Sequence, residues 1–147
     1  MEIVKVDEGD FDRLAKLLNW RKTGTYDEDF NWSAFLSNEL SDMIASNIIW
    51  IYAARVNNRF VGYVSAAKIP KPDNRKCTIY IDELWVAKKH RNKGIAKKLL
   101  EKVIEEAKRI KAWKVRLVVN YDNAFARSLY HSLGFNEKPA VFCEKSF

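Results

Sequence analysis

The residues best suited to chemistry lie together in Asp82-Glu83-Leu84-Trp85-Val86-Ala87-Lys88-Lys89-His90-Arg91-Asn92-Lys93-Gly94-Ile95-Ala96-Lys97. A strand-like run ends at Val86, a basic loop follows, and a helical pattern opens at Gly94. The first N–H groups of a helix have no partner inside it and point out of its positive end. An anion binds there readily. Gly94 has no side chain to block close approach, and Ala96 has almost none. Arg91, Lys93 and Lys97 add full positive charges. The physics alone predicts a site for a phosphate or a pyrophosphate.

The common phosphate loops do not fit. A dinucleotide fingerprint needs three spaced glycines, and this loop has one. A P-loop needs G-x-x-x-x-G-K-[ST], which is absent.

The rest of the chain bounds the answer. At 147 residues it is the length of one domain, taken as 1–147. Hydrophobic residues make up 48% and charged residues 31%, a globular composition. The net charge of +7 favours an anionic partner such as nucleic acid, an anionic membrane surface or a polyphosphate. No apolar run is long enough to span a bilayer, and the first residues do not read as a secretory leader. Cys77 and Cys143 lack metal-ligand spacing, so no metal is expected; they read as buried, reduced thiols in a cytoplasmic protein.

Hydrophobic periodicity supplies the elements that hold the loop in place. Ile3–Val6 reads as a strand, with helices from Asp10 to Leu18 and from Asn31 to Met43, each capped by its first residue. Arg21–Asp29 reads as a loop. Ile48–Val56 and Arg59–Lys68 form a hairpin about Asn57-Asn58, since Asn tolerates positive φ. Cys77–Val86 is a third antiparallel strand. Gly94–Ile110 is a strongly amphipathic helix, Val115–Val119 a buried strand, and Asn123 caps a helix ending near Leu133. Val141–Lys145 is a last strand. The order is β-α-α-β-β-β-α-β-α-β.

Two segments of this chain then point to one family. Arg91-Asn92-Lys93-Gly94-Ile95-Ala96 resembles the R/Q-x-x-G-x-G/A motif of the GNAT superfamily of N-acetyltransferases. Asn123-Ala124-Phe125-Ala126-Arg127-Ser128-Leu129-Tyr130, with Leu133-Gly134-Phe135, is similar to its N-x-x-A-x-x-L-Y-x-x-x-G-F segment. The departure is Ala96, where glycine is commonest.

The resemblance implies an α/β fold whose central sheet is mixed, mostly antiparallel and flanked by helices. It implies acetyl-CoA as cosubstrate, with its diphosphate on Arg91 to Lys97, namely Arg91, Asn92, Lys93, Gly94, Ile95, Ala96 and Lys97. It implies that Cys77–Val86 and Val115–Val119 splay apart, so that the pantetheine arm pairs with backbone groups of Leu84, Trp85 and Val86. A bulge near Glu83 would aid that splay. Asn123 would touch the cosubstrate as well as cap its helix. Tyr130 would be the general acid for the departing thiolate. Glu83, directly or through a water, is the preferred base that takes a proton from the acceptor ammonium. Asp82 is the other candidate, and strand alternation sends the two to opposite faces.

The acidic run Asp27-Glu28-Asp29 could attract a cationic amine. The acceptor is an amine on a small molecule or a protein, with no membrane partner, and the resemblance allows a homodimer. Two other readings compete: a basic nucleic-acid-binding module, disfavoured by the lack of any RNP, KH or zinc-finger signature, and a non-catalytic acyl-CoA sensor.

Overall fold

Asn57 and Asn58 adopt φ of 48° and 65°, the left-handed region in which a two-residue turn matches the twist of the strands it joins. They link β2 (Ile49–Val56) to β3 (Arg59–Pro70), as the sequence predicts. In this computed structural model, which describes residues 1–147, the hairpin is the middle of a five-stranded sheet. β1 (Glu2–Lys5) pairs antiparallel with β2, and β4 (Cys77–Val86) antiparallel with β3. β5 (Lys114–Leu117) runs parallel to β4, so the connection must cross one face of the sheet. α3 (Ile95–Arg109) makes that crossing. The fold is the mixed, mostly antiparallel α/β sheet with flanking helices that the sequence implies.

Strand alternation divides the core into two layers. Trp50, Tyr52 and Ala54 of β2 face Leu99, Leu100 and Val103 of α3. Ile51 and Ala53 face the opposite way, toward Leu14 and Leu17 of α1 (Phe11–Thr23) and Leu40 of α2 (Leu40–Ala45). The sheet is thus covered on both sides, and the site must form where that cover stops.

Four expectations need correction. The helix expected over Asn31–Met43 is only α2. Asn31 Oδ1 accepts from the Ser33 amide and Ser37 Oγ from the Glu39 amide, local bonds that hold the backbone in turns instead of a helix. β5 is shorter than Val115–Val119 and only half-buried, with Val118 exposed. Val141–Lys145 is not a strand, and Val141 and Phe142 are exposed. A strand needs a neighbour, and β5 stops at Leu117 without accepting one. Cys77 is buried as expected, but Cys143 is exposed.

Leu99 is fully buried between α3 and the sheet. Leu99→Ala should lower unfolding stability by about 2–5 kcal/mol, the usual loss for a core leucine, as read from urea denaturation.

Candidate active site

The site begins with an irregularity in β4. Ser65 stands opposite Glu83, but the next residue, Ala66, stands opposite Ile81, so Asp82 is an extra residue. Up to this bulge the side chains alternate regularly, with Ile79 and Ile81 packed toward α3. Regular alternation would send Glu83 the same way. The bulge reverses that parity. Leu84 packs on the α3 side, while Trp85 and Glu83 turn toward α1. The bulge expected near Glu83 is therefore present. The expectation that Asp82 and Glu83 face opposite ways is not met. Counted from Ile81, Asp82 also falls on the α1 face.

Glu83 does not stand alone there. Its Oε2 accepts from Tyr63 Oη at 3.1 Å and is ion-paired with Arg21 Nη1, which also contacts Tyr63 Oη. Arg21 belongs to the last turn of α1 and not to the loop expected at Arg21–Asp29. Burial and the nearby Glu83 carboxylate push the Tyr63 phenol up to about 12. Neither Arg21 nor Tyr63 carries a sequence signal, because the bulge alone brings Glu83 to them.

The bulge also ends the pairing of β4 with β5. That ladder runs from Thr78 opposite Lys114 to Ile81 opposite Leu117 and no further. Leu84, Trp85 and Val86 stay paired to β3 only. Their backbone groups that point away from β3 form an open edge, the arrangement that accepts an extended ligand as an added strand. One of these groups is occupied: Arg91 Nε donates to the Val86 carbonyl at 2.8 Å. Arg91 therefore ties the end of β4 to the basic loop.

After Val86 the Ala87 amide donates to Val61 O at 2.8 Å, and a single 3-10 turn spans Lys88–His90. Asn92 and Gly94 both have positive φ, 61° and 77°. Gly94 is the first residue before α3, and no side chain caps the helix. The Lys98 amide is the first to bond back, to Gly94 O at 3.1 Å, so the amides of Ile95, Ala96 and Lys97 have no helical acceptor. A Cβ at Gly94 would meet nothing within 4 Å. The glycine is thus required by its backbone angle, and the space above it is open for a ligand. Lys88, Lys89, Arg91, Lys93, Lys97 and Lys98 are exposed around this opening, while buried Ile95 anchors the helix. Free amides, a positive dipole and clustered cations fit a diphosphate.

After β5, Asn123 Oδ1 accepts from the Ala126 amide at 3.1 Å and so caps α4 (Ala124–Ser132). α4 ends as the sequence predicts, at Gly134 with φ 87°. The Gly134 amide donates to His131 O and the Phe135 amide to Tyr130 O, the paired bonds of a Schellman motif. The apolar contact that accompanies this motif joins Tyr130 and Phe135, edge to face at 5.9 Å. Tyr130 is half-buried against the α3-side core, and burial alone raises its phenol above the usual value.

The remaining candidates are accounted for locally. Glu28 is bound to Arg59 at 2.7 Å, and Asp27 accepts from the Asp29 amide, so the acidic run is partly neutralised. His90 packs edge-on against Trp20, and burial with the Lys93 and Lys89 charges lowers its pKa. His131 is exposed near Glu137. No group of His, Cys, Asp and Glu side chains could hold a metal ion.

These features meet in one class of protein. The chain matches the model of the Acetyltransferase (GNAT) family over residues 11–135, a span that closes on the Schellman residue Phe135, and it belongs to that family. It is an enzyme of the acyltransferase class.

Solved structures share the fold. An aminoglycoside acetyltransferase from an uncultured soil metagenomic sample, crystallised with trehalose, is 20% identical with a TM-score of 0.82, covering 99% of this chain and 95% of the other. A ribosomal-protein-alanine N-acetyltransferase from Brucella melitensis biovar Abortus 2308 is 21% identical with a TM-score of 0.73, covering 99% and 98%. A predicted acetyltransferase from Clostridium acetobutylicum, solved with acetyl-CoA, is 21% identical with a TM-score of 0.73, covering 98% and 95%.

The raised Tyr63 value has a consequence for stability. The neutral phenol is favoured in the folded state, so its contribution is intact below the unfolded pKa of about 10 and fades as pH rises toward about 12. Tyr52, also at about 12, adds to this. Urea midpoints should fall over that range, and Tyr63→Phe should make the fall shallower.

Proposed function

We propose that this protein transfers the acetyl group of acetyl-CoA to an amine, by direct attack within a ternary complex. The observation that carries this reading is the open β4 edge leading into the uncapped, cation-ringed start of α3. Acetyl-CoA supplies an acyl group activated as a thioester. The amides of Gly94 to Lys97 hold its diphosphate, with charge from Lys93, Lys97 and the free guanidinium edge of Arg91. Asn92 contributes through the backbone turn that its positive φ creates. The edge of Leu84, Trp85 and Val86 aligns the pantetheine arm as an added strand. Asn123 orients α4, and its side-chain NH2 remains free to donate to the cosubstrate.

The acceptor arrives as an ammonium and must lose a proton before it can attack. Glu83 takes that proton, directly or through a water. Its tie to Arg21 and Tyr63 fixes its rotamer at the mouth of the gap. A backbone N–H near Val86 faces the developing oxyanion. Tyr130 donates a proton to the sulfur as the C–S bond breaks. Its raised pKa keeps the phenol protonated through neutral and mildly alkaline pH. No covalent enzyme intermediate is required, so neither cysteine has a role. The free thiols suit a cytoplasmic setting.

Gly94→Glu should reduce coenzyme A affinity by about 100-fold or more in calorimetry, while the circular dichroism spectrum stays native. The carboxylate would occupy the phosphate position, and a non-glycine residue at φ 77° adds roughly 1–2 kcal/mol of strain. Unchanged binding would refute the diphosphate assignment.

Tyr130→Phe should cut kcat by about 100-fold and leave the coenzyme A dissociation constant within about twofold. In the unmodified enzyme the alkaline limb of kcat should lie above the ordinary tyrosine value of about 10 and disappear in the variant. An unaltered kcat would remove Tyr130 from the mechanism.

A further inference from the structure

Two stretches of strand-forming residues are left without a partner. β5 is an edge strand, paired only to β4, and beyond Leu117 the exposed Val118 and half-buried Val119 have no ladder at all. Val141-Phe142-Cys143-Glu144-Lys145 is exposed throughout, and residues 136–147 make no backbone hydrogen bond. Seven of the twelve exposed large apolar side chains fall between residues 113 and 147. Apolar surface concentrated in this way marks a place where another molecule sits.

The chain does not lay this segment on its own β5. Glu137 is held at α4 by Arg127, whose Nε and Nη2 donate to its two carboxylate oxygens at 2.8 Å each. Lys138 precedes Pro139, which disfavours a helical turn and keeps the backbone extended there. The segment leaves α4 from this anchor with Val141 87% exposed. A free strand and a free edge that do not meet within one chain can meet between two copies. Each copy gives its strand and receives the other's, which closes the pair by twofold symmetry.

The side chains agree with this pairing. Run antiparallel, residues 141–145 match residues 119–115 one for one. Directly opposite residues share a face. Phe142 then meets exposed Val118, and Glu144 meets exposed Arg116. Neither Glu144 nor Arg116 has an ion pair within its own chain. Val141 and Cys143 fall over Val119 and Leu117, and the stem of Lys145 covers Val115 while its ammonium reaches water. β1, the other edge of the sheet, is a poorer receiver, since its charged Glu2 and Lys5 blunt it.

We propose that residues 141–145 of each copy add as an antiparallel strand to the free edge of β5 in a second copy, giving a strand-exchanged homodimer. The sixth strand of each sheet then comes from the partner. Its ladder carries β5 on to Val119, the length the sequence predicts.

The test uses the full chain. Sedimentation equilibrium at micromolar concentration should give twice the 17.2 kDa chain mass. Cys143→Pro together with Glu144→Pro removes an N–H from each edge of the strand, so one loss must fall on the ladder. This double change should raise the dimer dissociation constant by about 100-fold or more while the circular dichroism spectrum stays native. Cys143 also reports the register, because Leu117→Cys would stand opposite it in the other copy. Mild oxidation of that variant should link two chains through positions 143 and 117, as identified by peptide mapping. Val118→Cys, on the other face, should not link. A monomer would overturn the proposal, as would a dimer that survives the two prolines or a Leu117→Cys dimer that forms no such bond. A disulfide closed within one chain would show that the segment returns to its own β5, and equal linking of Val118→Cys would show chance collision. Either result also overturns it.

Discussion

One extra residue in β4 carries most of the site. The bulge at Asp82 costs the sheet a regular ladder position, and two consequences follow from it. Side-chain parity is reversed beyond it, so a carboxylate that regular alternation would bury against α3 is delivered to Arg21 and Tyr63 on the other face. Pairing with β5 also ends at the residue before it. A bulge increases local twist and bends its strand, which is the distortion needed to separate a pair of parallel neighbours. The placement of Glu83 beside Arg21 and Tyr63 and the open edge at Leu84–Val86 therefore share one structural cause.

The start of α3, the proposed phosphate end of the gap, is built on different physics. Nothing there depends on a buried charge. Unpaired amides at the start of α3 supply direction, and exposed lysines supply attraction that salt would screen. Arg91 departs from its neighbours, since its Nε is spent on the Val86 carbonyl. That bond links the loop to the end of β4, so the start of α3 and the open edge keep a set spacing. Positive charge elsewhere is more evenly matched, as in the Arg59–Glu28, Arg127–Glu137 and Arg109–Glu106 pairs.

The pattern running from Asn123 to Phe135 is likewise a structural device before it is a chemical one. Asn123 closes the start of α4, and Gly134 and Phe135 close its end. The same closure lays Phe135 against the Tyr130 ring. A phenol on a short helix would otherwise have several rotamers to sample. Capped at both ends and braced by its own C-terminal turn, it is held half-buried against the α3-side core.

Much of this was legible in the residues themselves. The Asn57-Asn58 turn, the limits of β4, the amphipathic face of α3, and the caps at Asn123 and Gly134 are local, because each depends on φ preferences or on side chains within one or two turns. The uncapped start of α3 at Gly94, with exposed basic residues around it, was legible for the same reason. The helix expected at Asn31 failed because Asn31 and Ser37 offered the backbone local alternatives, and the strand expected at Val141 failed because no neighbouring strand receives it. The face on which Glu83 lies, its partners Arg21 and Tyr63, and the point where β5 leaves β4 belong to the tertiary structure alone. They follow from the register between strands, and register is settled by residues far apart in the chain that meet only when the sheet forms.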